Sequence, residues 1–225
     1  MWVLSVVTAV AAARYFLNPV PGLQPSMMLA LARNPYIVRL HIFGGIVAIT
    51  TGLFQFVKSL RTSRPFVHRA MGFAYLGGVL LGGVAGLGLS PDTPFFAAEL
   101  MTESKSFDMP LLGPSPSFLG YGPATTFSPA QFTPVMMGFA SLALAWLVTS
   151  VIAFRYARQR SFRRHSEWMI RSYALTFAAV TIRLAPLPFL FLTRNPVVAI
   201  TCTFWSWLLN LLVAEWLIRG RSATV

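Results

Sequence analysis

The stretch VHRAMGFAYLGGVLLGGVAGLGL, Val67–Leu89, decides the fold. After His68 and Arg69 no charged side chain appears from Ala70 to Leu89, and about 20 apolar residues are what an α-helix needs to cross the hydrocarbon core of a bilayer. Gly78, Gly82 and Gly86 recur every four residues, which puts them on one helix face as two overlapping small-xxx-small motifs. Working outward, five more stretches read as spans: 1–17, 36–57, 134–154, 168–192 and 196–218. The expectation is an all-α, polytopic transmembrane bundle of about six helices. It forms a single integral membrane domain over residues 1–225, with a long outer loop between the third and fourth helices.

Composition points the same way. Hydrophobic residues make up 56% of the 225 positions and charged residues 11%, with mean hydropathy +0.65. A soluble domain carries about 25% charged residues, so this chain lacks the charge to cover a water-facing surface. The 18 Lys+Arg against 6 Asp+Glu would suit nucleic acid if they formed a patch. They stand instead at the ends of apolar runs, which is an orientation signal, so nucleic acid is not an expected partner. Membrane lipids are. The one cysteine, Cys202, has no partner for an internal disulfide. Ala11-Ala12-Ala13 resembles a cleavage site, but a signal peptide needs a basic n-region. Residues 1–17 are therefore read as a helix.

Orientation follows from the basic residues. Lys58, Arg61, Arg64 and Arg69, then Arg155, Arg158, Arg160, Arg163 and Arg164, then Arg219 and Arg221 all fall on one side, in two short loops and a tail. Arg14, Arg33, Arg39, Lys105 and Arg194 are spread along much longer segments on the other. The positive-inside rule then places both termini in the cytoplasm, with the inner membrane of a bacterium as the expected location.

Two outer segments stand out. Residues 18–35 begin Pro-rich, and 90–133 form a Pro- and aromatic-rich extracytoplasmic insertion with Phe95, Phe96, Phe107, Phe118, Tyr121 and Phe127. Disordered linkers are poor in aromatics, and long ordered loops are usually functional. This one is expected to pack on its own bundle or on a partner protein.

The glycine face has a partner in the second stretch, where Gly44, Ala48 and Gly52 share the same spacing. Close helix packing is the plain reading. A groove for a porphyrin, quinone or carotenoid is the sharper one.

Ionisable groups at membrane depth are costly and therefore candidates for function. His41 lies toward the outer end of the second stretch, and Arg183 falls near its level, about 27 Å along the fifth helix from His165. Two cationic groups without a nearby carboxylate suit an anion, a carbonyl cluster or a headgroup, or simple snorkelling. At the cytoplasmic side His68 and His165 share one level, each beside arginine. Neutral imidazoles ligate haem iron, and Arg69, Arg164 or Arg171 would pair with propionates. A headgroup contact or a helix cap is the simpler alternative. Glu167 and Arg171 are a favourable i, i+4 pair, and Glu215 falls within reach of Arg171 or Arg69. The cofactor candidates are thus haem b or a quinone, with His68, His165, Arg69, Arg171, His41 and Arg183 as contacts. No catalytic residue and no separate metal site emerges, because zinc pairs, nucleophile elbows, P-loops and dinucleotide fingerprints are all missing from the sequence.

His41 with its glycine-rich helix, Gln55, HRAMGFAY at 68–75, HSEWMIRSYALTFAAVTIR at 165–183 and WSWLLNLLVAEWL at 205–217 resemble the predicted bacterial membrane proteins of domain of unknown function 2306. The resemblance covers the second to sixth helices, and His165 to Arg183 is its most specific part. It implies recurring positions at His41, Gln55, His68, Arg69, His165, Trp168, Met169, Arg171, Ser172, Arg183, Asn210 and Glu215. It carries no settled activity and so no catalytic residues. The connection between the third and fourth helices looks much longer than the family's.

The functional expectation is an accessory or scaffold subunit that docks on a larger membrane complex, one of bioenergetic type included, through its outer loop and helix faces. The alternative is a b-haem or quinone-binding electron-transfer protein. Enzymatic activity has no constellation behind it. A transporter ranks last, because no pair of symmetrically interrupted helices is evident.

Overall fold

The computed structural model describes residues 2–17, 30–92 and 129–222, and every regular element among them is helical. Helix α1 (Trp2–Ala13) runs into a 3-10 turn at Arg14–Phe16. Helix α2 (Pro35–Phe54) is followed by the short α3 (Lys58–Ser63) and by α4 (Pro65–Leu89). Helix α5 (Thr133–Arg158) leads into a broken run of three, α6 (Phe162–Thr176), α7 (Ala178–Leu184) and α8 (Pro186–Thr193). The chain ends with α9 (Pro196–Trp205) and α10 (Trp207–Ser222). Segments 18–29 and 93–128 lie outside the described residues, and with them most of the outer insertion expected at 90–133.

Among the described residues four helical stretches are long and apolar enough to cross a membrane: Pro35–Phe54, Pro65–Asp92, Ala130–Arg158 and Val197–Gly220. The last joins α9 and α10 across the turn at Ser206. Their outward faces are apolar too. Val84 is 60% exposed, Leu212 66% and Trp216 73%, which in water would forgo about 1.5–3 kcal/mol per side chain and against lipid forgoes nothing. The protein is a multi-pass integral membrane protein.

The first and fifth expected spans take other forms. The 12 residues of α1 rise about 18 Å, and the 3-10 turn adds about 6 Å, less than the ~30 Å core. The fifth is interrupted at Phe177 and Ala185. Pro186 and Pro188 supply no N–H for the carbonyls four residues before them, which breaks the helix at Ala185. At the other break the Thr176 hydroxyl donates back to the Ser172 carbonyl at 3.1 Å, a competition with the backbone ladder that bends helices.

Proline also sets the starts. Pro35, Pro65, Pro186 and Pro196 open their helices, and Pro134 sits in the first turn of α5, where the missing N–H would have had no partner. Asn195 caps α9, its Oδ1 accepting from the amides of Val197 (3.0 Å) and Val198 (3.2 Å).

The tightest packing joins α2 to α4 through the glycines. A methyl placed on Gly44 would lie 2.5 Å from the Gly78 carbonyl oxygen and 2.7 Å from the Gly82 Cα. The backbones are in direct contact there, and the face is closed by helix rather than left as a groove for a flat ligand. Helix α1 runs antiparallel to α2. The ring of Trp2 meets Phe54 edge-on at 5.3 Å, and Ser5 shares a 3.2 Å hydrogen bond with the Tyr173 hydroxyl. Trp2, Gln55, His68 and His165 therefore mark one end of the bundle, the basic end. Arg14, His41 and Arg183 mark the other.

Candidate functional site

A cavity of about 190 Å3 opens at the basic end between α4, α5 and α6. Each wall has a reason to be there. Helix α4 begins at Pro65, so His68, Arg69, Gly72 and Phe73 come from its first turns. Helix α5 contributes Ser150, Phe154 and Arg158 near its end, and α6 contributes His165 and Met169 near its start. The α5–α6 turn holds Arg160 in the left-handed region at φ 57°, folding the two helices back on each other so that both ends reach the same space. Gln55 closes the cavity from the end of α2. Phe73 both lines it and is 60% exposed, so the cavity reaches the outward face of α4, where Phe73 meets Phe154 edge-on at 6.0 Å.

The two histidines differ in state. His165 Nδ1 donates to the Ala153 carbonyl at 2.9 Å. A carbonyl only accepts, so the proton is on Nδ1 and, in the neutral ring, Nε2 keeps its lone pair. His68 Nδ1 is buried and has no hydrogen-bond partner. Leaving such an atom unpaired costs about 1–3 kcal/mol. Both imidazoles line this one cavity, and Arg69 joins them at its wall.

Behind the cavity lies a buried hydroxyl network whose proton directions can be worked out. Ser150 donates its one proton to the Trp146 carbonyl (2.7 Å). Ser172, 2.6 Å away, must then donate to Ser150, and Tyr75, 2.6 Å from Ser172, donates to it in turn. Trp146 Nε1 donates to Thr176 Oγ1 at 2.8 Å. Every proton has an acceptor and the chain ends on a backbone carbonyl. Tyr75, although it lines the cavity, has no proton left to offer a ligand. Polar chemistry in the cavity falls to His68, His165, Gln55 and the two arginines.

The other candidate residues lie elsewhere. Arg171 forms a two-pronged pair with Glu215, Nε to Oε1 at 2.5 Å and Nη2 to Oε2 at 3.0 Å, and its guanidinium lies 4.9 Å from the Trp168 ring centroid. Glu167 is bridged to Arg163, one turn earlier, at 3.3 Å. The Arg171–Glu215 pair fastens α6 to α10 rather than lining the cavity. His41 and Arg183 stand at the opposite end. His41 Nδ1 donates to the Gly82 carbonyl at 2.8 Å, and its ring fills the space where a Gly86 side chain would be, 3.1 Å from that Cβ position. The stripe of glycines thus serves both the helix contact and the seating of His41. Among the described residues no group of three or more His, Cys, Asp or Glu side chains is gathered to hold a metal ion.

Residues 38–103 and 124–218 match the family described as predicted membrane protein, DUF2306. The chain belongs to that family. In this DUF2306 protein the match takes in both histidines of the cavity, the hydroxyl network, the Arg171–Glu215 pair and His41. Residues 104–123, inside the long connection, fall outside it. No curated protein matches the chain, and no solved structure does.

The Tyr75–Ser172–Ser150 network was not anticipated from the sequence. Its signal was present as hydroxyls one helical turn apart, Ser172 with Thr176, opposite the Trp146–Ser150 pair.

Proposed function

We propose that this protein binds a quinone, the carbonyl-bearing ring entering the cavity at the basic end from the membrane. The carrying observation is the convergence of two imidazoles, on α4 and α6, upon one aromatic-walled cavity that reaches the lipid-facing surface at Phe73. Quinone and quinol present opposite chemistry, the first accepting hydrogen bonds and the second donating them. His68, whose Nδ1 has no partner, serves either by changing tautomer once its ring turns toward the ligand, whereas His165, with its proton held on Nδ1 by the Ala153 carbonyl, offers its Nε2 lone pair to the quinol hydroxyl. Arg69 and Arg158 supply donors for a second carbonyl. The cavity's size, about 190 Å3, favours a single ring over the haem b alternative, since whole-cofactor sites usually run to about 300–1,000 Å3.

The wider frame is a chain that crosses the membrane six times, with α1 and the broken α6–α8 run as its first and fifth crossings. The basic end then faces the cytoplasm of a bacterial cell by the positive-inside rule. The accessory-subunit reading draws on the Pro- and aromatic-rich segment 90–133, and a quinone site is compatible with docking on a bioenergetic complex.

The test is a titration of the purified protein with menadione, followed by tryptophan fluorescence quenching. Saturable quenching is expected, weakened at least tenfold by His68→Ala and His165→Ala and unchanged by His41→Ala. Quenching that never saturates, or that the two cavity variants leave untouched, overturns the reading. A Soret band in the purified protein, lost in the same two variants, would assign the site to haem instead.

A further inference from the structure

We propose a second site at the opposite end of the bundle, in which Arg14, Tyr15 and Arg183 bind the phosphate of an anionic ligand. The 3-10 turn that ends α1 sets Arg14 beside Tyr15, with Nη2 donating to the phenol oxygen at 3.2 Å and the guanidinium 5.1 Å from the ring centroid. That bond uses the phenol as an acceptor and leaves its own proton to donate. Arg14 Nε is buried and has no hydrogen-bond acceptor among the described residues. Arg183, on α7, is exposed on the surface of the bundle, and among the described residues its hydrogen bond goes to the Ala179 carbonyl of its own helix. Helix α7 packs against α1, where Ala9 and Val180 share one apolar cluster, so that Arg14 and Arg183, each about one to one and a half turns further along, stand on the same side of that contact, toward the end opposite the basic one.

Two guanidiniums held together repel unless something negative sits between them, and at the edge of a membrane water screens them poorly. Their natural neutraliser would be a carboxylate. Among the described residues that role is not filled: Asp92, the acid at this end, accepts from Asn34 Nδ2 at 2.6 Å and lies 3.9 Å from Arg33. Glu167 and Glu215 belong to the basic end. The donor set here is also the one phosphate prefers. Planar guanidinium forks match two phosphate oxygens each, and a phenol proton supplies a further donor. The His41 side chain, held by Gly82 and packed on Phe139 at 5.6 Å, keeps this end of α2 rigid beside the cluster. Its height is about 9 Å below the first residue of α2, in the half of that helix away from the basic end. The phosphate comes either from a phospholipid of the outer leaflet or from a soluble phosphate, and both offer the same oxyanion.

The experiment is native mass spectrometry of the full chain released from detergent, with phosphatidylglycerol, phosphatidylcholine or inorganic phosphate added. One tightly held adduct is expected in the wild type. Its occupancy should fall at least fivefold in Arg14→Gln and Arg183→Gln and remain unchanged in Arg160→Gln at the basic end. If phosphatidylglycerol forms the adduct, the source is lipid; if inorganic phosphate alone forms it and competes with lipid, the source is soluble phosphate. Where Arg183→Gln does not fold, Arg183→Lys keeps the charge, loses the fork and is expected to lower the occupancy in the same direction. Adduct occupancy insensitive to both arginines overturns the proposal. So does its appearance in the wild type only after Glu99, Glu103 and Asp108 are changed to their amides, which would make the chain's own acids the neutralising partner. Neither result bears on menadione binding at the basic end, so this inference and the quinone reading fail separately.

Discussion

The hydroxyls of Tyr75 and Ser172 lie 2.6 Å apart in the middle of the bundle, and both side chains are almost wholly buried. This contact fastens α4 to α6, and through Ser150 to α5. Removing Tyr75's hydroxyl deletes one donor but leaves Ser172 its bond to Ser150. Removing the Ser172 hydroxyl takes an acceptor from Tyr75 and a donor from Ser150, but Tyr75 still reaches Thr176 Oγ1 at 2.9 Å and Ser150 still donates to the Trp146 carbonyl at 2.7 Å. Interhelical hydrogen bonds in membranes average about 0.6 kcal/mol, and an orphaned buried hydroxyl costs about 1–3 kcal/mol. Tyr75→Phe and Ser172→Ala are therefore each expected to cost about 0.5–1.5 kcal/mol, as read from thermal unfolding in detergent. A loss of about 3 kcal/mol or more for either would mean that a buried hydroxyl is left without a partner and the network is wired differently.

Neighbouring glycines give a second comparison. A methyl on Gly44 meets backbone atoms of α4 well inside contact distance, whereas one on Gly45 meets nothing within 4 Å. Backbone cannot yield as a side-chain tip can, so Gly44→Ala is expected at or above the ~1–3 kcal/mol of overpacked sites. Gly45→Ala gains helix propensity, up to about 1 kcal/mol, and should be neutral or stabilising. Equal melting temperatures for the two variants would remove α2–α4 backbone contact as the organising feature.

These glycines show which parts of the molecule were legible beforehand. A four-residue spacing of Gly44, Ala48, Gly78 and Gly82 is a local pattern, and it reports a helix face without any knowledge of the neighbour. The level of His68 and His165 could likewise be counted along two helices that run the same way. What could not be counted was rotation about the helix axes. That rotation turned Arg171 toward Glu215 rather than into the cavity, and it brought Tyr75 to Ser172 and Ser150. The breaks at Phe177 and Ala185 were also hidden, because an apolar run continues across them while the Pro186 and Pro188 signals were outweighed by hydropathy.

The long insertion makes its own prediction from composition alone. Replacing residues 95–126 by a short Gly/Ser linker is expected to leave the bundle folded and menadione binding intact, since the core around Tyr75, Val79, Trp146 and Tyr173 and every cavity residue lie outside that stretch. Association with a partner complex, followed by co-purification from membranes, should be lost. Retention of the partner by the shortened chain would sink the accessory-subunit reading.

Topology is tested most directly at α1, whose length is marginal. Its ends are fixed by contacts to α2, a helix of ample length: Trp2 reaches Phe54 at the basic end, and the 3-10 turn at Arg14–Phe16 packs against α2 toward the other. The six-crossing proposal has α1 run from one face of the bundle to the other, and a deficit of about 6 Å against the ~30 Å core is within what local thinning and snorkelling of Arg14 absorb. In a Cys202→Ser background, single cysteines at Ser59, Gln159, Leu17 and Lys105 can be probed in intact cells with a membrane-impermeant maleimide. Leu17→Cys and Lys105→Cys should label from outside, and Ser59→Cys and Gln159→Cys only after permeabilisation. If a further single cysteine, Val3→Cys, labels from outside as well, α1 lies along the outer surface instead of crossing. The chain would then have five crossings and an N-terminus on the outer side.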